Sequence, residues 1–325
     1  MLNNYKRFLL LFVFILIILP SAFAAPSRDQ ADRELVIYGI RGPSGLGIVR
    51  LFEDPPQAPG FSIRAEALAQ ADLIAARFIA GEAKIGILPP NVAAKIASSG
   101  NKIQAAAVVG MGMLSLVTSD PEVKSIADLR GKTVEAANQG TSPDYVFRTV
   151  LINNGLKPDT DVRLGFSLAY PEITQSIIAG RISTSLMPEP FATQALAANS
   201  SLRRVGDIQQ EWGRITGGGN FPMTVLAVDG DFAAANREVV NIILSAIEKS
   251  INWTVSNPEE AGRLAEKFDL GFPSKAASEA VPRSNYVFIP AQQARVSLEN
   301  LFGVFLEYSP VSIGGGLPKD NFYLK

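Results

Sequence analysis

The chain contains neither cysteine nor histidine among its 325 residues. Because Ser-His and Cys-His catalytic pairs and most transition-metal sites need these side chains, their absence excludes those classes of site. Carboxylates could still hold calcium, but the sequence has no Asp-rich loop of the EF-hand kind. We therefore expect no catalytic residue, no metal site and no cofactor.

Charge of one sign is also missing. The 30 Lys and Arg residues nearly balance the 31 Asp and Glu residues, which leaves a formal net charge of −1. A nucleic-acid-binding surface would need clustered cations, so the composition argues against a nucleic-acid partner. The length is sufficient for two ordinary domains, and a hydrophobic content of 47% is typical of a globular chain.

The longest apolar run lies at the N-terminus. Lys6 and Arg7 precede the apolar stretch Phe8–Leu19, and Ala22-Phe23-Ala24 provides small residues at a cleavage point. These features predict a cleavable secretory signal peptide over residues 1–24, and therefore a periplasmic protein. The alternative is an uncleaved anchor, although a bilayer needs about 20 apolar residues in a spanning helix. Since the chain has no cysteine, we expect no lipid anchor.

Strand and helix patterns alternate along the rest of the chain. Short apolar or alternating runs at Glu34–Ile40, Phe61–Ala67, Lys84–Leu88 and Ile103–Val109 predict strands, and helical stretches separate them. Short loops between alternating strands and helices favour βαβ units and a mostly parallel sheet. The same order recurs between residues 119 and 218, which predicts a second α/β unit.

The stretch Thr216–Asn220, with three glycines, ends this second unit. Strand-like Met223–Val228 and several long helical segments, beginning with Asp231–Asn257, come after it. These segments are too many for the second unit alone, so we predict that the chain returns to the first. The predicted division is a discontinuous first lobe, residues 25–116 and 225–325, and a second lobe, residues 117–224, with hinge crossings near 116–119 and 222–225.

Four segments resemble the substrate-binding proteins of nitrate, sulfonate and taurine importers (SsuA-like), together with the NMT1-like binders of thiamine precursors. They are Leu73–Asn91, Ser125–Leu156 with its Asp-Leu-x-Gly-Lys and Asn-Gly-Leu elements, Met187–Phe191, and Leu317–Tyr323. The resemblance implies a type II periplasmic-binding-protein clamshell, in which each α/β lobe is a mostly parallel sheet flanked by helices. It also implies a monomer that binds a small-molecule ligand, with the membrane permease and ATPase of an ABC importer as partners.

In open α/β sheets, ligands lie beyond the carboxyl ends of strands, where helix N-termini offer unpaired N–H groups. Four loops of the sequence are candidates for this position: Gly42-Pro43-Ser44, Pro90-Asn91, Gly140-Thr141-Ser142, and Glu189. Each has a plainer alternative. The first can be a tight turn, Asn91, Thr141 or Ser142 can cap a helix, and Glu189 can stabilise a helix start electrostatically.

Apolar side chains near the predicted hinge crossings can complete the site. Met111 and Met113 precede the first crossing, and Asn220 and Phe221 precede the second. Methionine adapts to irregular shapes and phenylalanine can stack on a flat ligand, although core packing is the alternative for each. A carboxylate such as Glu189 in the cleft would disfavour a bare inorganic anion. We therefore expect a small organic solute, with anionic and heteroaromatic molecules both included, captured by hinge closure.

Two other functions remain open at this level. A periplasmic binding protein can report to a membrane receptor instead of a permease, and both functions use the same closure. The fold also occurs in enzymes of the thiamine-pyrimidine and chorismate-dehydratase types. The thiamine-pyrimidine chemistry is understood to use histidine and cysteine, which this chain lacks, so the sequence favours binding over catalysis.

Overall fold

The structure is a computed structural model that describes residues 33–325, so the predicted signal peptide lies outside the described residues. The described chain forms two β-sheets flanked by helices. The first sheet begins with β1 (Arg33–Ile40), β2 (Phe61–Leu68), β3 (Ile85–Leu88) and β4 (Ile103–Met111). The second sheet contains β5 (Leu114–Thr118), β6 (Thr133–Glu135), β7 (Arg163–Gly165), β8 (Thr184–Pro188) and β9 (Arg203–Asp207). The chain then returns to the first sheet with β10 (Pro222–Asp229) and β11 (Tyr286–Pro290).

Helices connect these strands and cover both sheets. In the first part of the chain they are α1 (Pro43–Gly47), α2 (Arg50–Glu53), α3 (Ala71–Ile79) and α4 (Pro90–Ser98). Between the strands of the second sheet lie α5 (Ser142–Asn153), α6 (Tyr170–Ile178) and α7 (Phe191–Ala198), and α8 (Ile208–Thr216) follows its last strand. The C-terminal part adds α9 (Gly230–Ala235), α10 (Arg237–Ser256), α11 (Pro258–Lys267), α12 (Ser274–Ala280) and α13 (Ala291–Tyr308).

The predicted α/β class is confirmed, but both sheets are mixed instead of mostly parallel. In the first sheet, ordered β11-β4-β10-β3-β1-β2, β1 is parallel to β2 and β3, whereas β10 and β11 pair antiparallel. In the second, ordered β7-β6-β8-β5-β9, β6 is parallel to its neighbours and β5 is antiparallel to both of its own. Helical crossovers between strands of one sheet enforce parallel pairing. Strand β5 enters directly from the other sheet and β10 returns from it after α8, so neither follows such a crossover within its own sheet.

The two passages between the sheets lie side by side. The amides of Asn220 and Asn285 both donate to the carbonyl oxygen of Gly112, at 2.9 and 2.6 Å. The Gly112 N–H donates to the Phe221 carbonyl oxygen at 2.8 Å. These bonds join the end of β4 to the start of β10. The start of β10 lies at the predicted crossing near 222–225, whereas the first passage, between Met111 and Leu114, lies a few residues before the predicted crossing near 116–119. The lobe boundaries and the hinge themselves stay predictions.

Hydrophobic periodicity explains which elements are buried. All four residues of β3 and all five of β5 are buried, as expected for short apolar strands with helices on both faces. Helix α10 buries Val239, Val240, Ile243, Ile247 and Ile251, which recur every three or four residues along one face. In residues 33–325, no helix is both long and apolar enough to cross a bilayer.

Several predicted elements differ from those observed. The predicted helix Asp231–Asn257 is two helices, α9 and α10, because Asn236 adopts a non-helical conformation between them. Strand β11 and helices α8 and α12 have no counterpart in the sequence analysis. The sequence of β11, Tyr-Val-Phe-Ile-Pro, is strand-like but only five residues long. Strands this short give little periodicity, so tertiary pairing decides whether they form.

Candidate functional site

A cavity of about 310 Å³ lies between the two sheets, at the carboxyl ends of β1, β3 and β8. Residues at or beside the starts of α1, α3, α4, α5, α6 and α7 line it, so these helix N-termini converge on one space. Its walls are mainly apolar and aromatic, and its polar residues lie largely on the exposed rim. A small, mostly apolar cavity with a few polar groups is the usual form of a small-molecule site.

The structure brings Pro43, Ser44 and Thr141 into the lining of this cavity, together with Met113. The two hydroxyls already make hydrogen bonds within their own loops. Ser44 Oγ lies 3.1 Å from the Ile40 amide nitrogen, which donates to it, and Thr141 Oγ1 donates to the Asn138 carbonyl oxygen at 2.7 Å. These side chains therefore shape the wall while holding their own turns in place.

Gly42 lies next to the cavity and supports one of its walls. Its φ of 120° is a conformation that side-chain-bearing residues rarely adopt, and a Cβ here would lie 3.4 Å from the ring of Phe191. Phe191 belongs to α7 and lines the cavity. The glycine thus allows the β1–α1 turn to contact an aromatic ring on a helix of the other sheet.

Asn91, Gly140 and Ser142 form a buried contact between the two sheets, which we name the joint. The Asn91 amide donates to the Gly140 carbonyl oxygen at 2.9 Å, and Ser142 Oγ donates to Asn91 Oδ1 at 3.0 Å. Asn91 and Ser142 are almost fully buried. These residues face each other instead of the cavity; likewise Pro89, and not the predicted Pro90, lines the cavity.

Glu189 is buried outside the cavity lining. Its carboxylate pairs with Arg204, and its second oxygen accepts from the Thr193 amide nitrogen at 3.1 Å, in the first turn of α7. The plainer alternative for Glu189, stabilisation of a helix start, matches this geometry. A direct role in ligand binding stays a prediction to which this placement adds no support.

Met111, Asn220 and Phe221 also lie outside the cavity lining. Asn220 is engaged at the passage between the sheets, and the fully buried Phe221 packs edge-on against Trp212, with 5.6 Å between the ring centroids. Met111, at the end of β4, donates its N–H to the Asn285 carbonyl oxygen at 3.1 Å. Phe221 therefore packs in the core and Asn220 bonds at the passage, while a direct role of these three residues in ligand binding stays a prediction.

Three aromatic residues of the lining are absent from the sequence-based candidates: Tyr170, Phe191 and Tyr286. Tyr170 stacks on Phe191 with 5.6 Å between centroids and 22° between ring planes, and Phe191 meets Phe272 edge-on. Tyr286 donates its hydroxyl to the Pro43 carbonyl oxygen at 2.8 Å. Tyr170 and Phe191 each lie beside a proline at a helix start, a signal in the sequence that could have identified them.

The electrostatic surroundings of the cavity disfavour negative charge. Burial raises the pKa of the Tyr170 and Tyr286 hydroxyls well above the ordinary tyrosine value. The nearby carboxylates of Asp144, for Tyr170, and of Glu189, for Tyr286, contribute in the same direction. Within the described residues, no cluster of three or more acidic side chains could hold a metal ion.

Sequence comparison identifies one family. The model of the NMT1-like family matches residues 74–268, which is more than half of the chain and includes most of the loops around the cavity. No curated protein sequence matches this chain.

Solved structures share the fold over most of the chain. An ABC transporter protein from Parabacteroides distasonis has 24% sequence identity and a TM-score of 0.75, with 90% of this chain and 99% of that chain covered. The periplasmic aliphatic sulphonate-binding protein SsuA from Escherichia coli has 16% identity and a TM-score of 0.68, with 88% and 93% covered. The periplasmic nitrate-binding protein NrtA from Synechocystis has 11% identity and a TM-score of 0.60, with 75% and 69% covered.

Proposed function

We propose that this chain, which belongs to the NMT1-like family, is the periplasmic solute-binding component of an ABC importer and not an enzyme. The observation that carries the proposal is the cavity between the two sheets, where the ends of three strands meet the starts of six helices. Its volume of about 310 Å³ suits a small organic molecule. The similar structures named for sulphonate and nitrate binding support the same class of function.

The absence of histidine and cysteine supports a binding function over a catalytic one. The sequence has no histidine or cysteine, and the buried carboxylates nearest the cavity are already used. Asp144 pairs with Arg148, its Oδ1 lying 2.6 Å from Arg148 Nε, and Glu189 pairs with Arg204. A general acid or base must reach the reacting atoms, and neither of these two carboxylates lines the cavity; Glu172, the carboxylate that does, lies at its exposed rim.

The proposed mechanism is closure of two lobes, residues 25–116 with 225–325 and residues 117–224, around the solute. Several contacts that join the two sheets would have to form and break in this motion. They include the joint and the packing of Phe191, on the second sheet's α7, against Phe272. A solute that contacts both lobes only when they are closed would shift the population towards the closed form.

Spin labels can test closure, because the cysteine-free chain allows labels to be placed at chosen sites only. Lys95, on α4, and Ile152, on α5, are exposed and lie on opposite sides of the joint. In the K95C/I152C protein, we expect a compound that stabilises the fold to shorten and narrow the label distance distribution. The matched control, K95C/K249C, carries both labels on helices of the first lobe and should not change.

The outcome that contradicts the mechanism is a compound that binds and leaves the K95C/I152C distribution unchanged. Turnover of a bound compound would contradict the binding function itself and favour an enzyme on the same fold. Reporting to a membrane receptor would involve the same closure, so reconstituted uptake with the permease and ATPase distinguishes transport from sensing.

A further inference from the structure

The charged and uncharged side chains of the cavity indicate which chemical class of solute it can hold. Among the described residues, the buried side chains of the lining carry no charge: they include Ile48, Ile87, Met113, Phe191, Met223 and Leu270. Arg41 and Glu172 are the charged members of the lining, and both lie at the rim. A charged group placed deep in this cavity would lose its hydration without gaining a partner, which is costly.

The rim cation is already used by the protein. Arg41 forms an ion pair with the Asp269 carboxylate, and its Nε donates to the Asp269 carbonyl oxygen at 2.7 Å. Glu172 adds a negative charge at the same rim, in the first turn of α6. The rim therefore offers an anionic solute no unpaired arginine and adds a repulsive carboxylate.

Helix N-termini could attract an anion without a cation, but carboxylates of the chain already occupy most of those at the cavity. Asp72 accepts from the Leu73 N–H in α3 at 3.0 Å, and Asp144 accepts from the Gly140 N–H before α5 at 2.8 Å. Glu189 accepts from the Thr193 N–H in α7. With Glu172 on α6, four of the six helices that begin at the cavity carry a carboxylate of their own at that end, whereas α1 and α4 have none in their first turn.

Two tyrosines in the wall also indicate that the cavity disfavours negative charge. The hydroxyl pKa values of Tyr170 and Tyr286 are raised, mainly by burial and additionally by Asp144 and Glu189 respectively. A phenol that resists ionisation shows that its surroundings destabilise a negative charge. Two such groups lie in different parts of the lining, on α6 and on β11.

We infer that the solute is an organic molecule without negative charge, whose apolar or ring-shaped body fills the interior and whose polar group faces the rim. This inference deepens the proposed function and depends on it.

Matched sulfonamides and sulfonates test the inference, because each pair has nearly the same shape and only the sulfonate is charged at neutral pH. We would use the butane, benzene and naphthalene skeletons and measure dissociation constants for the purified exported protein. For the skeletons that bind, the sulfonamide should bind about tenfold more tightly than the sulfonate, since burying an unpaired charge is unfavourable. Equal or tighter binding of the sulfonate would overturn the inference and leave the proposed function intact.

The variant Glu172→Gln adds a readout that depends on charge alone. Removing this rim carboxylate should raise the ratio of sulfonate affinity to sulfonamide affinity about two- to fivefold. Glu259→Gln is the matched control, since Glu259 is also an exposed first-turn carboxylate but lies on α11, outside the lining. An unchanged ratio in Glu172→Gln would count against the inference. If no member of any pair binds, the inference fails, whereas reconstituted uptake with the permease and ATPase still tests the proposed function.

Discussion

The wall of the cavity and the joint beside it occupy the same edge of the two sheets but use their polar groups differently. In one short loop, Thr141 lines the cavity, whereas its neighbour Ser142 is buried and bonds to Asn91 of the opposite sheet. On the opposite loop, Pro89 lines the cavity and Asn91 belongs to the joint. Each of these loops therefore contributes residues both to the cavity wall and to the joint, and residues one or two positions apart differ in which of the two they belong to.

This division separates two kinds of substitution. Changes at the joint and at the passages between the sheets should act on folding and closure, because those side chains contact only the protein. Changes in the wall should act on the bound solute as well. Variants of both kinds can test this distinction, because only changes in the wall should alter the bound solute directly.

Phe221→Ala should lower the free energy of unfolding by about 3–5 kcal/mol, because it leaves a cavity next to Trp212 in fully packed core. Phe191→Ala, equally buried but in the cavity wall, should lose similar stability and also weaken binding. Urea denaturation and binding titrations of the folded fraction measure the two effects. If both variants weaken binding equally, the division between wall and packing is incorrect.

Asn91→Ala should lower the free energy of unfolding by about 1–3 kcal/mol, because the Ser142 hydroxyl and the Gly140 carbonyl oxygen lose their buried partner. Asn101→Ala is the control, since that side chain is only half-buried and bonds only to Ser99 among the described residues. The two variants are compared by chemical denaturation. Equal stabilities would show that the joint contributes nothing to the folded state.

Stability should fall as the pH rises above the ordinary tyrosine pKa of about 10. The raised pKa values of Tyr170 and Tyr286 mean that the folded protein keeps protons that the unfolded chain releases. The stabilising contribution is therefore complete below pH 10 and is lost above it, by about 1.4 kcal/mol per pH unit for each tyrosine.

The Y170F/Y286F variant tests this pH dependence by denaturation between pH 8 and about pH 11, a range that spans the ordinary tyrosine pKa. Its stability should decline less steeply than that of the unaltered protein above pH 10. Substitution of Tyr308, which is partly exposed and lies outside the cavity lining, should not change the slope. A Y308F effect as large as that of the double variant would remove the two cavity tyrosines as the cause.

Much of the fold is predictable from the sequence because hydrophobic period and breakers act locally. The strand Glu34–Ile40 is observed as Arg33–Ile40, and the extended stretch Leu114–Thr118 is a strand with those bounds. The mixed order of the sheets is not predictable in this way. The direction of β10 depends on the passage by which the chain re-enters the first sheet, which is a property of the path and not of its own eight residues.

The sequence predicts the loops that border the candidate cavity, but only some of the residues that line it. Ser44 and Thr141 lie in the wall, as proposed from glycine- and hydroxyl-rich loops that precede helices. Asn91, Glu189 and Phe221 come from equally plausible patterns and are engaged by the protein itself. Tyr286 could not be found, because its strand was not predicted and its contact with Pro43 joins residues 243 positions apart.

The fold class and the family resemblance follow from local features of the sequence. Alternating strands and helices, four family-like segments and the lack of histidine and cysteine are all readable without coordinates. The three-dimensional arrangement decides which side of each loop faces the cavity. It also places Asp144 and Glu189 at two of the helix starts that could attract an anion. The physical reason is that charge and hydrogen-bond satisfaction depend on distances between residues far apart in the chain, and a local pattern carries no such distances.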